Sequence, residues 1–201
     1  MDTRTVNTET VKGTTESNEL MSRIEKLQAD YYADSKKSLF FKKQQKEDCA
    51  AFVCNDVKLE EMLSHTVFII PNTNKVYFDY TIFKTYAIPA NYDSIIKRVL
   101  DLFQECIALH GGFEAHVNLA TFTISAFERY KAIIIKFCEE CFKNNTQYSV
   151  DLIKFCIYNS PNMIDMISAT ARPFIDDKVR SKVVLFNKKE SEKLIYQLIN
   201  Q

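Results

Sequence analysis

The first third of the chain has the apolar spacing of helices. Large apolar side chains are rare up to residue 18, so we predict a disordered tail over residues 1–18. From residue 19 onwards they recur every three or four positions, at Leu20, Ile24, Leu27 and Tyr31. A second helical stretch, interrupted at residues 54–56, extends to His65. The pattern predicts an N-terminal helical segment over residues 19–65.

The pattern changes to that of strands at residue 66. The apolar run "TVFII" is followed by the turn signal "PNTN" and then by a second apolar stretch. We predict a hairpin here and another strand near Phe83–Ile88. A wide apolar face at helical spacing follows in residues 92–110, and Gly111 and Gly112 are placed to end that helix.

Strand-like runs alternate with helical stretches from residue 113 to the C-terminus. "FEAHVNLATFTI" begins with the alternation of a strand, and the long helix after it has Ser125 and Glu128 at the spacing of a capping box. "DLIKFCIYNS" and "SKVVLF" have the pattern of further strands. Strands separated by helices require crossovers. We therefore predict an α/β fold for residues 66–201, with a mixed, mostly parallel sheet flanked by helices.

The segment Asn162–Ala171 is unusual because, as a helix, it carries apolar residues on more than one side. One stripe consists of Met163, Ile164, Ile167 and Ala171. Met166 and Ala169 lie off that stripe. A surface helix needs only one apolar stripe. We expect the second side to meet another apolar surface; the alternative is a helix buried between two layers of the core.

The overall composition is that of a soluble globular domain and excludes some classes of partner. Of the 201 residues, 46% are hydrophobic and 26% are charged, which suits one good-sized domain. The formal net charge is +0, whereas broad binding of nucleic acid needs a surplus of Lys and Arg, so no nucleic-acid partner is predicted. No apolar run approaches the length that spans a bilayer. The oligomeric state is left open.

The cysteines and the N-terminus indicate the compartment. Most of the 6 cysteines lie inside apolar runs such as "IIIKFCEECF", and the polar N-terminus has no secretory signal. We therefore expect buried thiols in a reducing, cytoplasmic setting. The bias to Lys, Asn, Ile and Tyr, without Trp and with 3 Gly, is typical of AT-rich genomes such as those of large DNA viruses. A viral protein of this kind would act in the host cytoplasm.

No motif of catalytic, metal or cofactor chemistry is present, so we predict a protein that is not an enzyme and has no cofactor and no metal. The pair Cys138 and Cys141 lies near the end of a predicted helix, where a thiolate is disfavoured, and is predicted to be structural. Asp176 and Asp177 precede a strand, where such residues more often form turns and caps. GxSxG, P-loop and GxGxxG motifs are absent. The histidines, isolated in sequence and predicted to be structural, are His65, His110 and His116.

A cluster of basic and aromatic residues lies between the two N-terminal helical stretches. Such a cluster suits contact with anionic lipid at a membrane surface. The alternative is the solvated side of a helix or linker. Its members are Lys36, Lys37, Lys42, Lys43 and Lys46, with Phe40 and Phe41 among them.

The order of motifs between Phe113 and Phe186 is distinctive. A strand like "HVNLATFTIS" is followed by a helix, a Tyr-containing loop and a strand that ends in Asn159-Ser160-Pro161. An apolar helix, "PFID" and a strand with "SKVVLF" come next, and this continuation is the most specific part. In this order the chain resembles the CRAL-TRIO lipid-binding family, relatives of the phosphatidylinositol-transfer and cellular retinaldehyde-binding proteins. "FTISAFERYK" and "FKTYA" also resemble divergent viral members.

The resemblance implies non-enzymatic binding, and transfer, of a lipid or other small hydrophobic ligand. In this family the stretch after Asn-small-Pro leads into a mobile apolar gate over a lipid pocket. One apolar side of residues 163–171 would then face the pocket, and another would pack on the body or meet a membrane during a transient contact. The pocket residues that we predict on this basis are Val117, Leu119, Phe122, Phe155, Ile157, Met163, Ile164, Met166, Ile167 and Phe174.

The headgroup site of phosphoinositide-binding members is only partly present. They carry an acidic residue soon after the loop Tyr, where this chain has Val150, and a Thr before the strand lysine, where it has Val179. Lys182 is retained, and the sequence leaves open whether it binds ligand or serves a structural role. The departures put a phosphoinositide headgroup in question and leave the apolar pocket in place.

Two rival functions are compatible with the same residues. The first is a protein-interaction module on this fold, with the pocket filled by its own side chains; a co-purifying lipid separates it from a lipid-binding protein. The second is an α/β enzyme that uses Cys138 or a histidine, and the absence of catalytic motifs makes it the weakest.

Overall fold

The computed structural model describes residues 5–34, 42–143, 146–162, 164–175 and 177–200. No helix in these ranges is both long and apolar enough to cross a membrane. The helices are α1 (Thr5–Asp34), α2 (Lys42–Asp56), α3 (Leu59–Thr66), α4 (Tyr80–Tyr86), α5 (Tyr92–His110), α6 (Ile124–Cys138), α7 (Thr146–Asp151), α8 (Ile164–Ala171), α9 (Asp177–Arg180) and α10 (Lys188–Ile199). The strands are β1 (Val67–Ile69), β2 (Lys75–Asp79), β3 (Phe113–Asn118), β4 (Leu152–Tyr158) and β5 (Val183–Leu185).

The five strands form one sheet in the order β1-β2-β3-β4-β5. β1 pairs with β2 in the antiparallel sense, as expected for the hairpin that "PNTN" predicts. β2, β3, β4 and β5 are parallel to one another, and helices supply the crossovers between them. The prediction of a mixed, mostly parallel sheet flanked by helices is confirmed.

The two faces of the sheet are covered differently because successive strand residues point to opposite sides. One face is covered by α5, α6 and α8, and it carries Ala115 and Val117 of β3. The other face is covered by α10 and carries Tyr77, Cys156 and Tyr158 in a small apolar cluster with Leu198.

The N-terminal helices share a core with the rest of the chain. Leu20 and Ile24 of α1 are buried and belong to the same apolar cluster as Tyr80, Tyr86 and residues of α5 and α6. α1 begins at Thr5, where the sequence predicts a disordered tail up to residue 18. The stretch has no Pro and one Gly, and extending a helix costs far less than starting one, so the amphipathic part of α1 propagates towards the N-terminus.

The prediction of a strand near Phe83–Ile88 is wrong, because most of this segment belongs to the helix α4. Asp79 ends β2, and its carboxylate accepts hydrogen bonds from the backbone N–H of Thr81 at 2.7 Å and from the Thr81 hydroxyl at 2.6 Å. This N-cap provides an acceptor for a backbone N–H of the first turn of α4, which would otherwise lack a partner in the helix. A helix therefore starts in a segment whose β-branched and aromatic residues favour a strand.

Helix ends elsewhere follow the sequence more closely. Gly111 ends α5 with a φ of 74°, a left-handed conformation that glycine adopts without strain, as its place in the sequence predicts. α6 is capped two residues earlier than predicted. The Thr123 side chain accepts from the backbone N–H of Ala126 at 3.3 Å, whereas the sequence favours Ser125 as the cap.

His116 lies buried on the face of the sheet covered by α10. Its Nδ1 is 2.9 Å from the Tyr158 hydroxyl and its Nε2 is 3.1 Å from the Glu114 carboxylate. Burial lowers the pKa of His116, and the hydrogen bond and charge of Glu114 oppose this shift in part. The positive charges of Lys75 and Lys154 act in the same direction as burial. The imidazole is therefore held neutral in the folded protein.

We predict that His116 makes the protein less stable as the pH falls below about 6.5, the value of an unperturbed histidine. Below that pH the histidine of the unfolded chain binds a proton, whereas the pKa of His116 in the folded protein is lower and the imidazole stays neutral. The stability that is present above about pH 6.5 is therefore lost as the pH falls through the folded pKa. The free energy of unfolding is measured with urea between about pH 7 and pH 5. It should fall less steeply with decreasing pH in His116→Gln than in the wild type. His110→Gln, at an exposed position, is the control. Equal slopes for wild type and His116→Gln would contradict the prediction.

Candidate ligand-binding site

A cavity of about 470 Å³ lies between the sheet and the helices α5, α6 and α8. β2, β3, β4 and β5 all contribute to its floor, and the three helices form its roof and sides. Its lining is apolar and aromatic apart from a few polar groups. The volume lies within the range of about 300–1,000 Å³ that ligand pockets usually have.

The floor of the cavity follows from the register of the central strands. Ala115 pairs with Phe155, and Val117 pairs with Ile157, one on each of the parallel strands β3 and β4. Because side chains alternate along a strand, residues two apart line the same face. These four residues therefore form a continuous apolar patch, and all four line the cavity.

Most of the predicted pocket residues meet in this cavity. Those that line it are Val117, Leu119, Phe122, Phe155, Ile157, Ile164 and Ile167. Met163 lies outside the described residues. Met166, Phe174 and Lys182 are not part of the lining.

The two apolar sides of α8 have different surroundings. Ile164, Ile167 and Ser168 face the cavity. Met166 lies on the other side with 38% of its surface exposed, and Ala169 is exposed as well. The spacing of Met166 from Ile164 and Ile167 turns it about the helix axis away from the cavity, so it does not belong to the lining. The second apolar side of α8 is therefore open to solvent.

Phe174 and Lys182 are held by other contacts. Phe174 lies in the turn after α8, and the Lys143 ammonium is 5.7 Å from the centre of its ring. The Lys182 ammonium donates to the backbone carbonyls of Ser149 at 2.8 Å and Val150 at 3.2 Å. These bonds tie the turn before β5 to the end of α7, so the geometry favours a structural role for Lys182.

The sequence analysis did not predict the cavity residues that α5 and α6 contribute. Val99 and Phe103 of α5 and Ile133 and Phe137 of α6 line the roof. Their signal is the wide apolar face of both helices, but a face that packs against a sheet and a face that borders a cavity have the same pattern. Only the position of the helices above the sheet distinguishes them.

Two buried phenols also border the cavity and are kept neutral. Burial raises the pKa of Tyr80 and Tyr130 above the usual value for tyrosine. The Tyr130 hydroxyl donates to the backbone carbonyl of Lys84 at 3.2 Å, so this polar atom is satisfied by the protein. The two rings meet edge to face with centres 6.1 Å apart. They add aromatic surface to the cavity without adding charge.

The Asn159-Ser160-Pro161 motif lies at the carboxyl edge of the sheet and fixes the start of the segment that leads to α8. Asn159 has a φ of 51°, a left-handed conformation that asparagine tolerates better than most residues. Its side-chain amide donates to Asn118 Oδ1 at 2.8 Å, and its backbone N–H donates to Ser191 Oγ at 2.7 Å. The residue thus joins β3, β4 and α10 immediately before α8.

An open groove of about 1440 Å³ runs along the same edge. Leu119 and Phe122 line both the groove and the cavity, so these two side chains separate them. Basic side chains from three helices border the groove, together with the acidic Glu128; the basic residues are Lys43, Lys46, Arg129 and Lys188. Four members of the basic and aromatic cluster predicted from the sequence, Lys36, Lys37, Phe40 and Phe41, lie outside the described residues.

The cysteine pair has no feature of a reactive site. Cys138 and Cys141 are buried free thiols at the end of α6 and the turn after it. Burial raises the pKa of Cys138 to about 12 and raises the pKa of Cys141 as well. Almost no thiolate is therefore present near neutral pH. Among the described residues, no group of three or more His, Cys, Asp or Glu side chains could hold a metal ion.

A mostly parallel α/β sheet with an apolar cavity on one face defines a domain suited to a hydrophobic ligand. The model of the CRAL/TRIO domain family matches residues 94–201, which is more than half of the chain. The chain therefore belongs to the CRAL/TRIO family. Domains of this family bind lipids and other small hydrophobic ligands and are generally not catalytic. No curated protein matches the chain.

Proposed function

We propose that this protein binds a lipid or other small hydrophobic molecule in the cavity beneath α8, and that α8 is the gate through which the ligand enters and leaves. The observation that carries the proposal is the apolar cavity of about 470 Å³ that α8 closes on one side. Exchange would take place at a membrane surface, where α8 swings away from the sheet and the exposed Met166 side meets the lipid.

The free energy of filling the cavity supports this function. Each methylene that leaves water gains about 0.8 kcal/mol, so a chain of about ten methylenes gains roughly 8 kcal/mol before ordering costs are subtracted. An apolar cavity left empty loses packing contacts along its whole lining. A hydrophobic ligand therefore stabilises the folded protein.

The proposal is tested by native mass spectrometry of the purified protein, followed by organic extraction and identification of the extract. We expect one bound lipid or hydrophobic molecule for each chain. A mass equal to that of the bare chain, unchanged after incubation with mixed liposomes, would contradict the proposal and favour the protein-interaction module.

A further inference from the structure

The charged groups of the cavity lie close to one another along the chain. Of the described residues that line it, the charged ones are Arg172 and Arg180, and the lining contains no carboxylate. Ser168 of α8 is the neutral hydroxyl on the same part of the lining. All three are exposed as well as lining the cavity, so they lie where the cavity opens to solvent.

The cavity side of α8 becomes more polar along its length. Ile164, Ser168 and Arg172 are four residues apart, so they lie on one face of the helix and the turn that continues it. The face begins with a hydrocarbon side chain, passes a hydroxyl and ends in a guanidinium. A bound molecule that follows α8 meets an apolar surface at one end and a cation at the other.

Backbone contacts hold the second arginine beside the same turn. The Ile175 backbone N–H donates to the carbonyl of Arg172 at 3.4 Å, and the Arg180 guanidinium donates to the carbonyl of Ile175 at 3.4 Å. Arg180 also pairs with Asp177, whereas no ion pair within the described ranges involves Arg172. Arg172 is therefore the cation that a ligand would engage first.

The volume limits the number of hydrocarbon chains. A water-sized group occupies about 30 Å³ and a methylene is of similar size, so a cavity of about 470 Å³ holds about sixteen such groups. That is one long acyl chain. A second chain of the same length would need roughly twice the volume.

We propose that the ligand is a single-chain amphiphile with an anionic headgroup, its chain in the apolar cavity and its carboxylate or phosphate on Arg172 at the mouth, with Arg180 beside it. This inference rests on the proposed function and specifies the ligand class. Guanidinium groups bind carboxylate and phosphate through paired hydrogen bonds, and the apolar surroundings strengthen such bonds.

The charge of the headgroup is tested with palmitic acid and hexadecan-1-ol, which share the same chain length. Dissociation constants are measured on delipidated full-length protein near neutral pH, with radiolabelled ligand. The acid should bind about tenfold to a hundredfold more tightly than the alcohol, the range for a charge-assisted hydrogen bond. Arg172→Gln should weaken binding of the acid to about the level of the alcohol and so remove this preference, whereas Arg98→Gln on α5, outside the cavity lining, should keep the preference.

The number of chains is tested with lysophosphatidic acid and phosphatidic acid, which share a headgroup and carry one and two palmitoyl chains. The one-chain lipid should bind more tightly, and equal or tighter binding of the two-chain lipid would overturn the single-chain assignment. Equal binding of palmitic acid and hexadecan-1-ol would overturn the anionic headgroup while leaving the proposed function intact. Failure of all four probes to bind would overturn the single-chain anionic ligand, whereas the proposed function is contradicted separately, by a native mass equal to that of the bare chain after incubation with mixed liposomes.

Discussion

Replacing Ile167 with aspartate is expected to abolish ligand loading while leaving the fold intact. Ile167 lines the cavity from α8, so the new carboxylate would point into the apolar space that holds the ligand chain in the proposed function. A charge in such surroundings is costly unless water enters with it, and either outcome removes the hydrocarbon environment that the ligand needs. We expect affinity to fall at least a hundredfold, which is about 2.7 kcal/mol.

Ala169→Asp is the matched control, because it places the same carboxylate on the exposed side of the same helix. Ligand content is measured by native mass spectrometry, and the fold is checked by circular dichroism for both variants. Ala169→Asp should load ligand like the wild type. If Ile167→Asp carries as much ligand as Ala169→Asp while both are folded, α8 does not close the binding site.

Replacing Leu20 with alanine is expected to destabilise the whole protein by about 2–5 kcal/mol, the cost of truncating a buried leucine. Leu20 of α1 is 1% exposed and packs in the apolar cluster that includes residues of α4, α5 and α6. In a chain of this size each kcal/mol lowers the melting temperature by roughly 2–4 °C. The measurement is thermal unfolding followed by circular dichroism.

Leu109→Ala provides the comparison, because Leu109 is 70% exposed at the end of α5. Such a surface change usually alters stability by less than about 0.5 kcal/mol. If the Leu20→Ala and Leu109→Ala proteins have the same melting temperature, α1 contributes little to the common core. The predicted division into a helical segment over residues 19–65 and a domain over residues 66–201 would then also be a division in stability.

The central strands and α8 could be predicted because their sequences carry two independent signals. β3 and β4 are short apolar runs with turn residues after them, and the motifs around Asn159 and in "SKVVLF" occur in a recognisable order. The family resemblance placed Val117 and Ile157 in the pocket, and the alternation of side chains along the strands agrees with their position on the floor of the cavity. Here local pattern and motif order agree.

The remaining parts depend on contacts that a one-dimensional pattern does not contain. α4 forms because Asp79 caps it, although its residues favour a strand. Met166 is adjacent to Ile167 in sequence but lies on the other side of α8. Lys182 donates to backbone carbonyls of α7 and does not line the cavity. Arg172 was not predicted because its position at the mouth depends on where α8 ends above the sheet.

In the proposed exchange, the hydrogen bonds of Asn159 would hold the start of α8 in place. They join the chain just before α8 to β3 and α10, so a rotation of the helix would pivot near Pro161. The displacement of α8 would increase with distance from this pivot, so it would be largest near Arg172. In the proposed exchange, the opening therefore forms first beside the cationic rim. An elongated ligand would then enter tail first, and its headgroup would be the last part to leave the solvent.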